Sequence, residues 1–391
     1  MSNSFLINAR NVKNDEFYTQ YSDVEEEINA YVDNDPDVFK GKTVLLPCDD
    51  PDWSNFTKFF VSNFTRLGLK KLISTSYVHD FENYDSTSIE TAQNDSRVIA
   101  HNTRGRLFTL TQDLNSGNTS NVTEFSGYLE GDGDFRSDEV SRLRDESDIV
   151  ITNPPFSLFR DFVSWVVEAE KKFLIMGTIN GMTYKSVFPL FWYNKMWLGY
   201  RPLNKGMCFK VTSEYQKWLV ENKKEGSAYR VVNGEIMGYL ASICWFTNLD
   251  HGRRHEKLVL NTMEHNLKFN NKLKNKLTQY NNGKIEYARY DNYDAIDVPF
   301  VDSIPSDYDG VMGKYNPDQF EIVAFRKGND GKDLVITTER EREDSSLHQS
   351  SCSTLVPGLI KSNDGMINGK LTYVRVTIRH KYPAGNYHIE S

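Results

Sequence analysis

From Lys42 onward the chain alternates short apolar runs with amphipathic stretches, and the two periods predict the elements. Thr43–Leu46 is a run of strand formers too short for a helix. Ser54–Leu67 places Phe56, Phe59, Phe60, Phe64 and Leu67 at helical spacing, with Ser54 as a side chain that can cap the first turn. Lys71–Ser76 predicts a second strand. Residues 82–127 are polar and irregular, with a hairpin expected around Leu107–Leu110. Tyr128–Phe135 reads as an edge segment, Asp138–Asp145 as a short helix, and Asp148–Thr152 as a buried strand that runs into two prolines. Leu158–Ala169 predicts a helix, Lys172–Met176 a strand, Tyr184–Tyr193 an aromatic-rich helix interrupted at Pro189, and Met196–Gly199 a further strand.

This alternation predicts an α/β fold, with a mainly parallel sheet and helices on both faces. In such sheets ligands bind beyond the carboxyl ends of the strands, so the chemistry is expected after Leu46, Ser76, Phe135 and Thr152. Past about residue 200 the pattern changes. Strand-like pieces (Tyr239–Phe246, Phe320–Phe325, Leu371–Ile378) are separated by long polar segments, a mixed α+β region. The expected division is an amino-terminal arm over 1–40, a catalytic domain over 41–203 and a further region over 204–391. Lys327–Ser353, charged and Ser-rich, predicts a mobile loop.

Composition narrows the class. The chain has 391 residues, 39% of them hydrophobic, enough for a real core in one large or two ordinary domains. No signal peptide or membrane-length apolar run is evident, so a cytoplasmic protein with no membrane partner is expected. Four widely spaced cysteines without a C-x-x-C pair argue against a metal site or a disulfide framework. The net charge of −8 looks unsuited to a polyanion, but its distribution changes that picture. Residues 1–52 hold twelve Asp or Glu against four Lys or Arg, so they account for all of it (4 − 12 = −8), and the remaining 42 basic and 42 acidic residues balance. Local basic patches are therefore available for phosphate contacts.

The most informative stretch is Asp148-Ile-Val-Ile-Thr-Asn153-Pro154-Pro155-Phe156. Two prolines end the strand and restrict the backbone, which fixes the Asn153 carboxamide and the Pro154 carbonyl at the strand's carboxyl end. An exocyclic amine on an aromatic ring is a poor nucleophile because its lone pair is delocalised. Two fixed acceptors can hold both N–H groups and aim the lone pair at an electrophile, and Phe156 can stack on a base that has left the duplex. The same motif suits other planar amines, such as the glutamine amide and guanine N2, and a strand-terminating loop is the bland alternative.

Taken with its neighbours, the stretch resembles the EcoRI-type adenine-specific DNA methyltransferases. The resemblance is carried by Asn14-Asp-Glu-Phe-Tyr-Thr-Gln20, Cys48-Asp-Asp-Pro51 with Ser54-Asn-Phe56, Gly131-Asp-Gly-Asp-Phe-Arg-Ser-Asp138, Asp148 to Phe159, Lys172 to Tyr184 and Trp245-Phe-Thr-Asn248. It continues through Tyr290-Asp-Asn-Tyr293, Ile304 to Gly313 and Tyr315-Asn-Pro317. It implies a Rossmann-like methyltransferase sheet with S-adenosylmethionine as methyl donor, double-stranded DNA as substrate and a flipped adenine methylated at N6. A monomer follows by analogy. The setting is a restriction-modification system, with a cognate endonuclease cutting the same site, or a solitary or phage methylase.

A Gly-rich turn normally lets the backbone approach the donor, but Pro47-Cys48-Asp49-Asp50 has no glycine. The resemblance implies that this acidic turn replaces it, with Asp49 and Asp50 toward the donor's ammonium. It also places Phe17, Tyr18 and Thr19 against the methionine end, and Asp132 or Asp134 at the adenine amino group, with Asn153 shared by donor and base. Asp80 is the nearest acid for the ribose, and is equally a solvated surface residue. Target recognition is expected in 204–391. There Arg253, Arg254, Lys257, Lys268, Lys272, Lys274 and Lys276 stand against only Glu256 and Glu264, a local charge of +5 (7 − 2). Arg375 and Arg379 lie in a second acid-free run from Lys370 to Lys381. Solvated surface is the alternative for both runs. Two other functions remain open: methylation of rRNA or a protein glutamine, and nucleic-acid binding without catalysis.

Overall fold

The computed structural model describes residues 18–78, 104–112, 122–211, 213–258, 269, 304–307, 312–313, 315–326, 333–334, 365–367, 370–372 and 375–381. The chain divides into two compact units, Met1–Gly252 and Arg253–Ser391.

The first unit opens with β1 (Tyr18–Thr19) and α1 (Tyr21–Asn34), followed by β2 (Thr43–Leu46), α2 (Asn55–Ser62) and β3 (Lys71–Thr75). A hairpin of β4 (Arg106–Gln112) and β5 (Val122–Tyr128) follows, then α3 (Asp138–Glu146), β6 (Ile149–Thr152), α4 (Phe159–Glu168) and β7 (Lys172–Thr178). The unit continues through α5 (Phe188–Trp192), β8 (Trp197–Leu198), β9 (Met207–Lys210), α6 (Ser213–Asn222), β10 (Tyr229–Val232), β11 (Glu235–Leu240) and β12 (Ile243–Thr247).

Eight strands form the main sheet in the order β5-β4-β3-β2-β6-β7-β12-β8. The four central strands, β3, β2, β6 and β7, are parallel, and the flanking pairs are antiparallel. After β2 the chain moves outward to β3 and later returns to place β6 on the other side of β2. The order therefore reverses between β2 and β6, which opens a crevice at their carboxyl ends. Alternate buried residues of the central strands serve the two faces. Val44, Leu46, Leu72, Ile149, Ile151, Leu174 and Met176 join one large cluster with Val24, Ile28 and Tyr31 of α1 and Phe56, Phe59 and Phe60 of α2. On the other side Phe135 packs on Phe162 and Trp165 of α4.

Several expectations shift. Within the segment expected as an amino-terminal arm, residues 21–34 form α1, which buries Val24, Ile28 and Tyr31 in the core. The boundary expected at 203 falls inside the first unit, because β12 pairs with β7 and β8 within the main sheet. The single strand read over Tyr239–Phe246 is two, with β11 in a smaller sheet ordered β1-β9-β11-β10. The helix expected over Tyr184–Tyr193 shrinks to α5, and Pro189 takes a first-turn position, where a missing N–H costs nothing.

In the second unit β13 (Ile304–Asp307), β18 (Arg375–His380) and β14 (Phe320–Arg326) form one antiparallel sheet, and β15 (Asp333–Leu334), β16 (Gly365–Ile367) and β17 (Lys370–Thr372) form a mixed one, with β15 parallel to β16. The strand expected over Leu371–Ile378 is divided between these two sheets. Apart from β15, the expected loop over Lys327–Ser353 lies outside the described residues.

Candidate active site

The turn after β2 is built without positive backbone φ. Among the described residues only Glu170, Asn194 and Asn233 combine φ > 0 with a side chain, which is why Pro47–Asp50 dispenses with glycine. Pro47, Asp49 and Asp50 are buried and Cys48 is half-buried. The Asp49 amide donates to the Thr75 carbonyl at 3.0 Å, tying the turn to the end of β3. The Asp49 side chain points inward: one carboxylate oxygen accepts from Ser54 Oγ at 2.7 Å, the other from Thr152 Oγ1 at 2.6 Å. Asp50 accepts from the Asp52 amide at 2.8 Å, which closes the outer half of the turn.

Thr152 ends β6 and is wholly buried. Asn153 follows it, half-buried, then the buried Pro154. Phe156 starts a 3₁₀ turn over Phe156–Leu158, in which the Leu158 amide donates to the Pro155 carbonyl at 2.9 Å. Phe156 is partly buried against the large core cluster, so one side of its ring is already committed to packing. Phe159, three residues on, packs on Phe246 of β12 with ring centroids 4.9 Å apart.

β1 brings the amino-terminal segment to the same place. Asn55 Nδ2, in the first turn of α2, donates to the Thr19 carbonyl at 2.7 Å, and Thr19 Oγ1 donates to Met176 Sδ at 3.3 Å. Tyr18 pairs with Lys210 of β9. Phe17 and Asp80 lie outside the described residues.

The Asp132 segment is anchored by close backbone approach. A Cβ on Gly133, at φ +87°, would come within 2.1 Å of the Ser76 carbonyl oxygen, and one on Gly105 within 2.6 Å of the same atom. The Val78 amide donates to the Asp132 carbonyl at 2.9 Å, so the loop sits over the carboxyl end of β3. Asp134 is less available: its carboxylate accepts from the Arg136 backbone and guanidinium, with Nη2 at 2.6 Å. That partner holds its pKa below the usual carboxylate value. The described parts of the four segments thus lie along the carboxyl ends of β3, β2, β6 and β7.

Thr152 and Ser54 were not marked by the sequence as site residues. Ser54 is legible as the α2 cap, which the structure shows accepting from the Phe56 amide at 3.1 Å. A Thr closing an aliphatic strand reads only as a strand former.

The basic residues belong to the second unit. Arg253 and Arg254 lie in the 3₁₀ turn Gly252–His255, and Lys257 is exposed just beyond it. Arg375 and Arg379 are on β18, where Arg375 pairs with Asp307 and Arg326 and Arg379 with Glu321. Lys268, Lys272, Lys274 and Lys276 lie outside the described residues. Among the described residues no helix is long and apolar enough to cross a membrane, and no group of three or more His, Cys, Asp or Glu could hold a metal.

The model of the family described as adenine-specific methyltransferase EcoRI matches residues 5–381. The chain is 40% identical to Type II methyltransferase M.EcoRI of Escherichia coli over 343 residues, 86% of this chain and 93% of the relative. It is 33% identical to Type II methyltransferase M.MgeORF184P of Mycoplasma genitalium over 378 residues, covering 95% and 97% of the two chains. The third relative, Type II methyltransferase M.MpnI of Mycoplasma pneumoniae, is 34% identical over 330 residues, 82% and 85% of the two chains. No solved structure matches. With a match over nearly its full length and a sheet whose crevice gathers the acidic turn and Asn153–Phe156, the chain belongs to the EcoRI-type family of adenine-specific methyltransferases.

Proposed function

We propose that the protein methylates N6 of a specific adenine in duplex DNA, with S-adenosylmethionine as donor. The observation that carries this reading is the position of Asn153, at the carboxyl end of β6 and directly across the β2–β6 crevice from the acidic turn. The donor's polar groups are an ammonium, ribose hydroxyls and an adenine amine, all of which need acceptors. A glycine-free turn carrying Asp50 at the end of β2 and a loop carrying Asp132 over the end of β3 supply carboxylates of that kind. The residues therefore fit the donor, and Thr19, Pro47, Cys48, Asp50 and Asp132 are those that would hold it, with Tyr18 beside them. When bound, it supplies a methyl group on a sulfonium, a good leaving group.

The chain's own contribution is positioning. The Asn153 carboxamide oxygen and the Pro154 carbonyl accept the two N–H bonds of the target amine, and the rigid Pro-Pro turn keeps them aligned as the nitrogen becomes tetrahedral. Phe156 stacks on the flipped base. No residue need remove a proton before transfer, since the amine becomes acidic only once methylated. Names of the relatives as Type II methyltransferases support a modification enzyme acting alongside an endonuclease, and a monomeric, cytoplasmic protein is the simplest form of it.

Asn153→Ala tests the catalytic assignment. Turnover should fall by roughly 10²-fold or more while the affinity for the donor alone, read by titration calorimetry, stays nearly unchanged. Wild-type turnover in this variant would remove Asn153 from the chemistry.

A further inference from the structure

We infer that Asp49 is a positioning residue that couples the donor turn to the catalytic Asn153 through the Thr152 hydroxyl, and is not itself a donor ligand. The inference rests on the proposed role of Asn153.

Asp49 is 4% exposed and its polar atoms are engaged from three elements. Thr152 Oγ1 of β6 and Ser54 Oγ at the start of α2 donate to its two carboxylate oxygens at 2.6 and 2.7 Å. Its backbone amide donates to Thr75 O of β3 at 3.0 Å, and its carbonyl accepts from Ser74 Oγ at 2.6 Å. Ser74 Oγ lies 2.9 Å from Thr57 Oγ1 of α2, and Thr75 Oγ1 donates to the Pro47 carbonyl at 3.1 Å. The hydroxyls of Ser54, Thr57, Ser74, Thr75 and Thr152 thus gather around one turn, and all five residues are buried.

The direction of the bonds matters. The Phe56 amide donates to Ser54 Oγ, which donates to the carboxylate, and Thr152 donates to it from the opposite side. Both hydroxyls reach the carboxyl oxygens at short range, so each is held in a single favourable orientation. Thr152 is covalently next to Asn153. Its hydroxyl is therefore the shortest connection between the turn beside the donor and the carboxamide that holds the target amine. A shift of the turn displaces the strand end on which the acceptor sits, and misplacement on the order of 1 Å can cost 10²-fold in rate. Asp50, the next residue, is left to meet the donor's ammonium.

The test uses full-length Thr152→Val, Thr152→Ser, Asp49→Asn and Asn153→Ala, each with donor affinity by calorimetry and single-turnover transfer of tritiated methyl groups to duplex DNA. Thr152→Val keeps the shape and removes the donor hydroxyl. It should slow single-turnover transfer roughly 10- to 100-fold with donor affinity within about threefold of wild type, and Thr152→Ser should restore the rate. Asp49→Asn cannot accept from both hydroxyls and should behave like Thr152→Val. Wild-type transfer by Thr152→Val would overturn the coupling. So would an Asp49→Asn variant that binds the donor more than tenfold more weakly yet transfers at the wild-type rate once saturated. Should Thr152→Val fail to fold, Asp49→Asn carries the same decision. Asn153→Ala separates the two levels: if it is inactive while Thr152→Val transfers normally, only the coupling fails, whereas an active Asn153→Ala removes the catalytic reading itself.

Discussion

At the scale of single residues, the site depends on groups that do no chemistry. Phe159, just past the Asn153–Phe156 turn, lies against two glycines: a Cβ on Gly177 would come within 2.4 Å of its ring, and one on Gly181 within 2.7 Å. The ring is 3% exposed and braced by Phe246, so it has little room to yield. Gly177→Ala should cost about 1–3 kcal/mol of stability by overpacking. Adding Phe159→Leu should recover part of that loss, because a smaller side chain leaves space for the new methyl group. Urea unfolding of the single and double variants measures this, and purely additive losses would contradict it. Asn153-Pro154-Pro155-Phe156 is legible as a candidate site because its four residues are contiguous in sequence. The Thr152 contact was not, since its partner Asp49 lies 103 residues away and both hydroxyl and carboxylate have commoner uses.

At the scale of elements, the strands around the Asn153–Phe156 turn were readable within a residue or two, because uninterrupted apolar runs bounded by polar turns have few alternatives. Tyr239–Phe246 misled for a physical reason. The connection Ala241–Ser242 contains neither Gly nor Pro, and apolar residues continue on both sides, so nothing in the pattern marks the change of sheet. The helix α1 was missed because its polar residues obscure its apolar face and because its anchor is a carboxylate. Glu27 is wholly buried and accepts from Tyr31 Oη at 2.9 Å and from the backbone amides of Tyr200 and Arg201 at 2.7 and 2.9 Å. Burial pushes its pKa from the ordinary 4.5 up to about 7, with the three hydrogen bonds opposing that shift. A folded-state pKa above the unfolded one means that the group's contribution is fully present below about pH 4.5. It is lost as pH rises through about 7, on the order of 3 kcal/mol across the window. Denaturation midpoints at pH 5 and pH 7.5 should therefore differ less in Glu27→Gln than in the wild type. An identical pH dependence in the two proteins would contradict the assignment.

At the scale of the whole molecule, the net charge of −8 resides in the first 52 residues, so affinity for DNA must come from local patches. The sheets of the second unit pair distant segments, such as Ile304 with Ile378, and no local period announces such partners. Its basic run was legible as charge only. Replacing Lys272, Lys274 and Lys276 together by Gln should weaken binding to cognate and scrambled duplexes about equally and flatten the salt dependence by roughly two to three units, with site preference retained. An unaltered slope in filter binding would exclude these lysines and turn attention to Arg375 and Arg379. The central claim, that this sheet and its Asn-Pro-Pro-Phe turn methylate adenine in DNA, is tested most directly by offering tritiated S-adenosylmethionine with duplex DNA, rRNA and protein in parallel, followed by nucleoside and amino-acid analysis. The account predicts label in duplex DNA, recovered as N6-methyladenine. Label confined to rRNA or to protein glutamine, or absent from all three, would contradict it.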